Sequence, residues 1–211
     1  MNLKRKILKR SSCFISAFIA FGIFVQQVSA KTPADTLVMA WDLDAISNFD
    51  PAQLNDRYGA EIVINVCDNL VDSAKNDGAK IVPSLAKSWD VVSDDQSTVI
   101  TFHLRDDLKF NDGRSAGAHD LVWGMRRVVK LKLSNAATFN EYGITEQNVD
   151  KAFQAPDEKT VVMKFDKPYP AELILSNISR NRTVALLDRE TLMKHEQDGD
   201  MGNRYLASHA A

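Results

Sequence analysis

The amino-acid sequence predicts a mixed α/β fold, with strands and helices interleaved along one chain. Three observations carry that expectation. Residues 98–104 and 160–165 alternate along the chain, with the two-residue period of half-buried strands. Residues 120–133 place apolar side chains at 121, 122, 125, 128, 129 and 133, which is helical spacing. The 211 residues are 45% hydrophobic and 26% charged, which suits one or two packed domains and excludes wholesale disorder.

The elements follow in order. Residues 36–41 read as a short buried strand, because Leu37, Val38 and Met39 are continuously apolar. Residues 42–51 are polar and irregular, and Asp50-Pro51 keeps the residue before the proline out of helix. From 59 to 70, apolar residues at 62, 63, 66, 67 and 70 predict a helix. Asn76-Asp77-Gly78 signals a turn. In the strand at 98–104, Ile100, Phe102 and Leu104 share one face and Val99, Thr101 and His103 the other. Asp106-Asp107 breaks it, 108–110 returns briefly, and Asn111-Asp112-Gly113 turns again. The helix over 120–133 crowds Arg126, Arg127, Lys130 and Lys132 into its later half, where cations suit the helix dipole. A turn at 156–159 precedes the strand at 160–165, which Pro168 and Pro170 stop. Helices are expected over 172–178 and 188–194.

The first thirty residues differ from the rest. They hold Lys4, Arg5, Lys6, Lys9 and Arg10 and no acidic residue, leaving 21 basic against 28 acidic residues in 31–211. A twelve-residue apolar stretch, 14–25, follows the basic run, and Ser-Ala closes the segment at Ala30. This is the layout of a secretory signal, with cleavage expected after Ala30. A membrane-spanning helix needs about twenty apolar residues, which argues against an uncleaved anchor. Cys13 precedes the apolar stretch, where no lipid attachment is expected. The mature chain then keeps Cys67 alone, in apolar surroundings that suit a buried structural thiol.

Catalytic constellations are missing. The sequence has no GxSxG elbow, HExxH helix, Walker loop or GxGxxG turn. His103, His119, His195 and His209 have no second His or Cys at metal spacing. His103 reads as a packed or edge histidine, and Asp42 and Asp44 as solvated loop charges. A formal net charge of −2 gives no support to nucleic-acid binding. No cofactor or metal is expected.

The segment from Pro83 to Arg114, PSLAKSWDVVSDDQSTVITFHLRDDLKFNDGR, resembles the signature region of bacterial extracellular solute-binding proteins of family 5. These are the dipeptide- and oligopeptide-binding receptors of ABC importers. The likeness lies in a PxLAxSW opening, a TxTFHLR-like strand and a KFxDG turn. It extends to Asp50-Pro51 with Cys67-Asp68-Asn69-Leu70-Val71, to Asp120-Leu121-Val122-Trp123 with Arg126, to 155–175, and to 208–211, which is similar to the approach to the family's GTGPY segment. Ser115-Ala116-Gly117-Ala118-His119 departs from the usual Thr-Ala-x, but Asp120 is kept.

The resemblance implies the N-terminal lobe of a two-lobed periplasmic-binding-protein fold of type II kind, truncated at Ala211. It implies a signal peptide over 1–30, the start of ligand-binding lobe I over 31–57, an additional subdomain of mixed sheet and helices over 58–175, and a return to lobe I over 176–211. The implied function is capture of a small peptide or related solute in the periplasm and delivery to an inner-membrane ABC permease, by a monomer that catalyses nothing. A nickel complex, glutathione, an opine or an oligosaccharide is the alternative ligand within the family. A non-transport interaction or chaperone module and a secreted enzyme are readings from other classes. The positions matching the peptide-contacting stretch are Asn55, Asp56, Arg57 and Tyr58. Arg57 could grip a carboxylate through two parallel bonds; the competing reading is an exposed Asp56–Arg57 pair worth under about 1 kcal/mol. Trp89 and Trp123 are read as core. A one-lobe piece is expected to bind weakly by itself, since half of the contacts that favour closure are gone.

Overall fold

The structure, a computed structural model, describes residues 32–40, 42–54, 56–180 and 182–209. The expected signal peptide over 1–30 and Asn55 lie outside the described residues. The chain divides into two units, 1–40 and 41–211. In the first, Thr36 N–H closes a turn onto the Pro33 carbonyl at 3.1 Å. The strand expected over 36–41 is not formed across 36–40, and Leu37, Val38 and Met39 are 83, 70 and 59% exposed. A strand is completed by its neighbours, and no described segment pairs with this one.

The second unit is built on two antiparallel sheets. Helix α1 (Arg57–Val66) leads to the hairpin β1 (Val71–Ala74) and β2 (Asp77–Pro83). Strands β3 (Ala86–Ser93) and β4 (Thr98–Leu104) follow, then the long helix α2 (Ala118–Lys130) and the single turns α3 (Ala137–Asn140) and α4 (Val149–Ala152). Strands β5 (Phe153–Asp157) and β6 (Thr160–Phe165) complete a four-stranded sheet ordered β3-β4-β6-β5. Helices α5 (Ala171–Arg180), α6 (Arg189–Lys194) and α7 (Asn203–Leu206) close the chain.

The period of β4 decides where the core lies. Ile100, Phe102 and Leu104 are fully buried on one face, joined across the register by Val161, Met163 and Phe165 of β6. Leu121, Met125, Val128 and Val129 of α2 cover that face, and Phe139 meets Phe153 edge-on at 4.7 Å. The opposite face stays wetter: His103, half-exposed on the inner strand β4, pairs with Asp90 of β3 at 2.8 Å and is neither packed nor at a sheet edge, the two places expected of it. Helix α5 packs on the β1–β2 hairpin, where Asn69 donates to the Ile178 carbonyl at 2.7 Å. Trp89 and Trp123 are half-buried against apolar clusters and do not lie at their centres.

Boundaries moved where tertiary contacts overrode local pattern. Helix α1 ends at Val66 because Cys67 is extended, and Cys67 and Leu70 enter the core from the connection to β1. Helix α2 begins two residues early, with the Asp120 carboxylate accepting from Gly117 N–H at 3.1 Å as the returning half of a capping box. It stops at Lys130 because Lys132 is left-handed (φ 52°) and Leu133 N–H returns to the Val128 carbonyl at 3.1 Å, a Schellman ending with lysine at the glycine position.

Candidate functional site

The corner at 47–58 is assembled from three distant parts of the chain. Asp50 and Arg127 are both fully buried, and the guanidinium spans the carboxylate with bonds of 2.7 and 3.2 Å. Asp50 also accepts from Ala52 N–H at 2.9 Å and Gln53 Nε2 at 3.2 Å, and its own N–H donates to Asn48 Oδ1 at 2.7 Å. The third nitrogen of Arg127, Nε, donates to the Met201 carbonyl at 3.0 Å. Gln53 reaches Asn203 Oδ1 at 2.5 Å, Asn135 Nδ2 reaches the Pro51 carbonyl at 3.0 Å, and Phe49 N–H reaches the Leu206 carbonyl at 3.0 Å. A buried pair this well satisfied fixes geometry more than it adds net stability, since desolvation offsets most of its attraction.

On that base stand the residues expected to meet ligand. Asp56 is the N-cap of α1: its carboxylate accepts from Gly59 N–H at 2.6 Å and from Ser47 Oγ at 2.9 Å and N–H at 3.2 Å. The Gly59 bond, with help from Ser47, holds its pKa below the ordinary carboxylate value despite some burial. Any Cβ at Gly59 would stand 2.9 Å from that carboxylate, so the cap needs glycine there. Asp56 is therefore bonded to its own loop, and Arg57 is left exposed at the first helical position with no partner among the described residues. Tyr58 follows, half-buried.

A second group lies between α1, the 109–114 turn and α6. The Arg114 guanidinium binds Asp188, Asp112 and Glu190 and covers the Phe110 ring at 5.4 Å. Asp188 also caps α6, accepting from Thr191 N–H at 3.1 Å. Burial opposes the Asp188 charge, but bonds from Arg114 and Thr191 outweigh it and bring the pKa down to about 2. A cavity of about 230 Å³ beside it is lined by Cys67, Asp68, Phe110 and Asp188 among others. Burial pushes the Cys67 thiol up to about 11, which leaves it neutral and unreactive, the structural thiol expected. Among the described residues no three His, Cys, Asp or Glu side chains cluster to hold a metal.

These two capped carboxylates set an acid limit. Both folded-state values lie below those of an unfolded chain, so their contribution is complete above about pH 5 and is lost as pH falls toward 2. The urea midpoint is expected to fall steeply between about pH 4.5 and 2.5, and Asp188→Asn to flatten that slope while lowering stability at pH 7. An equal slope in the variant would place the acid sensitivity elsewhere.

The model of bacterial extracellular solute-binding proteins, family 5 (middle), matches residues 80–202, a stretch that runs from β2 to the Met201–Asn203 segment beside Arg127. The chain belongs to this family. It is 28% identical over 210 residues to the "Probable D,D-dipeptide-binding periplasmic protein DdpA" of Escherichia coli, covering 97% of this chain and 37% of that protein. It is 26% identical over 170 residues to the "Probable deoxycholate-binding periplasmic protein YgiS" of the same species, covering 74% and 31%. Among solved structures, Haemophilus influenzae OppA in complex with RPPGFSPFR is similar at 25% identity and a TM-score of 0.56, covering 70% of this chain and 30% of that one. The chain thus spans about a third of the length of these two relatives. Family members are binding proteins, and those matched here are named as periplasmic. No described helix of the chain is long and apolar enough to cross a membrane.

Of the sequence-derived positions, the structure brings Asp56, Arg57 and Tyr58 together at one helix start and gives Asp56 a capping role. Sequence reasoning missed Arg127, its bond to Asp50, and Asn203. The Asp-Pro pair marked one end of that network, but nothing local distinguishes Arg127 from its neighbour Arg126.

Proposed function

We propose that this chain provides the first lobe of the solute-binding component of a peptide-type ABC importer, which captures a small peptide and hands it to the inner-membrane permease. The single observation that supports this most is the corner itself: a polar loop whose base is locked by a buried ion pair and whose outermost cation, Arg57, is unpaired among the described residues. A guanidinium held on a rigid support can take a carboxylate bidentately. In this reading Asn55, Arg57 and Tyr58 face solute, and Asp56 holds the helix start that presents them. Segments 31–57 and 176–211 belong to the ligand-binding lobe, and 58–175 is the added subdomain around the four-stranded sheet. The protein binds and does not transform, acts as a monomer, and is exported by a signal peptide cleaved after Ala30. The mature periplasmic protein is then expected to begin at Lys31 on N-terminal sequencing.

Binding tests the reading, in a preparation that carries the second lobe in the same polypeptide or as an added chain. Calorimetric titration with di- to pentapeptides is expected to give saturable binding that Arg57→Gln weakens about tenfold, the value of one charge-assisted bond. An unchanged dissociation constant would remove Arg57 from the site. Peptide cleavage instead of capture would replace the importer reading with an enzyme.

A further inference from the structure

One face of α2 lies away from the main core and the 47–58 corner, and only Trp123 on it packs at the margin of the Leu187, Leu192 and Leu206 cluster. His119, Trp123, Arg126 and Lys130 fall at intervals of four, three and four, which stacks them in one stripe along the helix. The stripe forms one wall of a cleft of about 370 Å³, with Ala155 of β5, Arg189 at the start of α6 and Met201 completing the lining. That volume lies at the lower end of the range, about 300–1,000 Å³, used by small-molecule sites.

The charges in the cleft are all positive, and their partners sit on its rim. Asp150 takes Lys130 at 2.9 Å and Arg126 at 3.4 Å, and Glu158 stands 3.6 Å from His119. Arg126 is further fixed by bonds from Nε and Nη2 to the Phe153 carbonyl, at 3.0 and 2.6 Å, which orients its guanidinium. Arg189, from the opposite wall, has no hydrogen bond or ion pair among the described residues. It feels the charge of Asp120, whose carboxylate is bonded to Gly117 N–H at 3.1 Å. Between the cations lie the half-buried Trp123 ring and the Met201 side chain. Like charges held along one helix face cost stability unless something offsets them. Here two are held by one carboxylate, and a third arrives from another element with none.

We infer that this cleft is a binding site for a small organic anion, its phosphate or carboxylate group taken by Arg189, Arg126 and Lys130 and its apolar body laid against Trp123. None of these residues belongs to the 47–58 corner, so the inference stands whether or not the importer reading does.

Phenyl phosphate is the probe, titrated calorimetrically into the full chain, with phenol and inorganic phosphate as separate arms. Saturable binding near or below ~1 mM is expected for phenyl phosphate, with weaker binding of inorganic phosphate and none of phenol. Arg189→Gln is expected to weaken the phenyl phosphate signal about tenfold without changing the melting temperature, because the side chain is exposed and supports nothing. Lys194→Gln, on the same helix and outside the cleft, is expected to leave binding unchanged. Failure of phenyl phosphate to saturate, or equal binding by Arg189→Gln, overturns the site. Inorganic phosphate binding as tightly as phenyl phosphate overturns the role given to Trp123.

Discussion

Arg127→Met is expected to lower the unfolding free energy by about 3–5 kcal/mol, the cost of leaving a buried carboxylate without its counter-ion. In a unit of this size that corresponds to a melting temperature lower by roughly 10 °C. The expectation follows from position more than from attraction. Asp50 has no solvent to turn to, and its remaining bonds, from Ala52 N–H and Gln53, are neutral. The damage should concentrate at the corner: amide exchange of 51–54 and 201–206 is expected to accelerate before that of the β4–β6 pair, because Arg127 ties Asp50 to the Met201 carbonyl and its loss leaves the Gln53–Asn203 and Phe49–Leu206 bonds to hold the two segments together. The double variant Asp50→Leu with Arg127→Met is expected to recover much of the loss, since two apolar side chains leave no orphaned charge. Thermal unfolding of the four proteins of the cycle decides it. Additive losses would mean that the pair is not coupled, and the support claimed for Arg57 would go with it.

How much of this was legible beforehand depends on the range of the contact involved. Strands β4 and β6 were readable because their buried faces obey a period of two, set by residues that neighbour one another in sequence. Helix α2 was readable for the same reason. The β1–β2 hairpin and β3 were not: Val91 and Val92 are exposed on an edge strand, and Asp77-Gly78, a turn signal, begins β2 while the turn falls at Lys75-Asn76. The 36–41 segment has the composition of a strand, but composition cannot supply the partner that makes one. At the corner, the loop and its four residues were placed by family likeness, whereas the capping role of Asp56 rests on an approach by Gly59 and Ser47. The Asp50–Arg127 bond spans 77 positions. Charge patterning reads neighbours three or four apart on a helix, and a pairing at that distance exists only once the fold does.

Gly202→Ala is the second large effect, and it separates two costs that usually arrive together. Gly202 has φ 76°, and a Cβ there would lie 2.9 Å from both the Cβ and the carbonyl oxygen of Leu192. Gly113 is also left-handed, φ 88°, but a Cβ there meets nothing within 4 Å. Gly113→Ala therefore measures the backbone term alone, about 1–2 kcal/mol. Gly202→Ala adds forced displacement of α6 against α7, a packing cost of about 1–3 kcal/mol more. The displaced atoms matter for the site as well, because Met201 and Asn203 on either side receive Arg127 and Gln53. The expected result is a loss of about 3 kcal/mol for Gly202→Ala against about 1 for Gly113→Ala in urea unfolding at pH 7. Only the former should speed amide exchange across 50–53. Equal losses in the two variants would show that α6 and α7 yield freely, and that the carbonyl holding Arg127 is not rigidly placed.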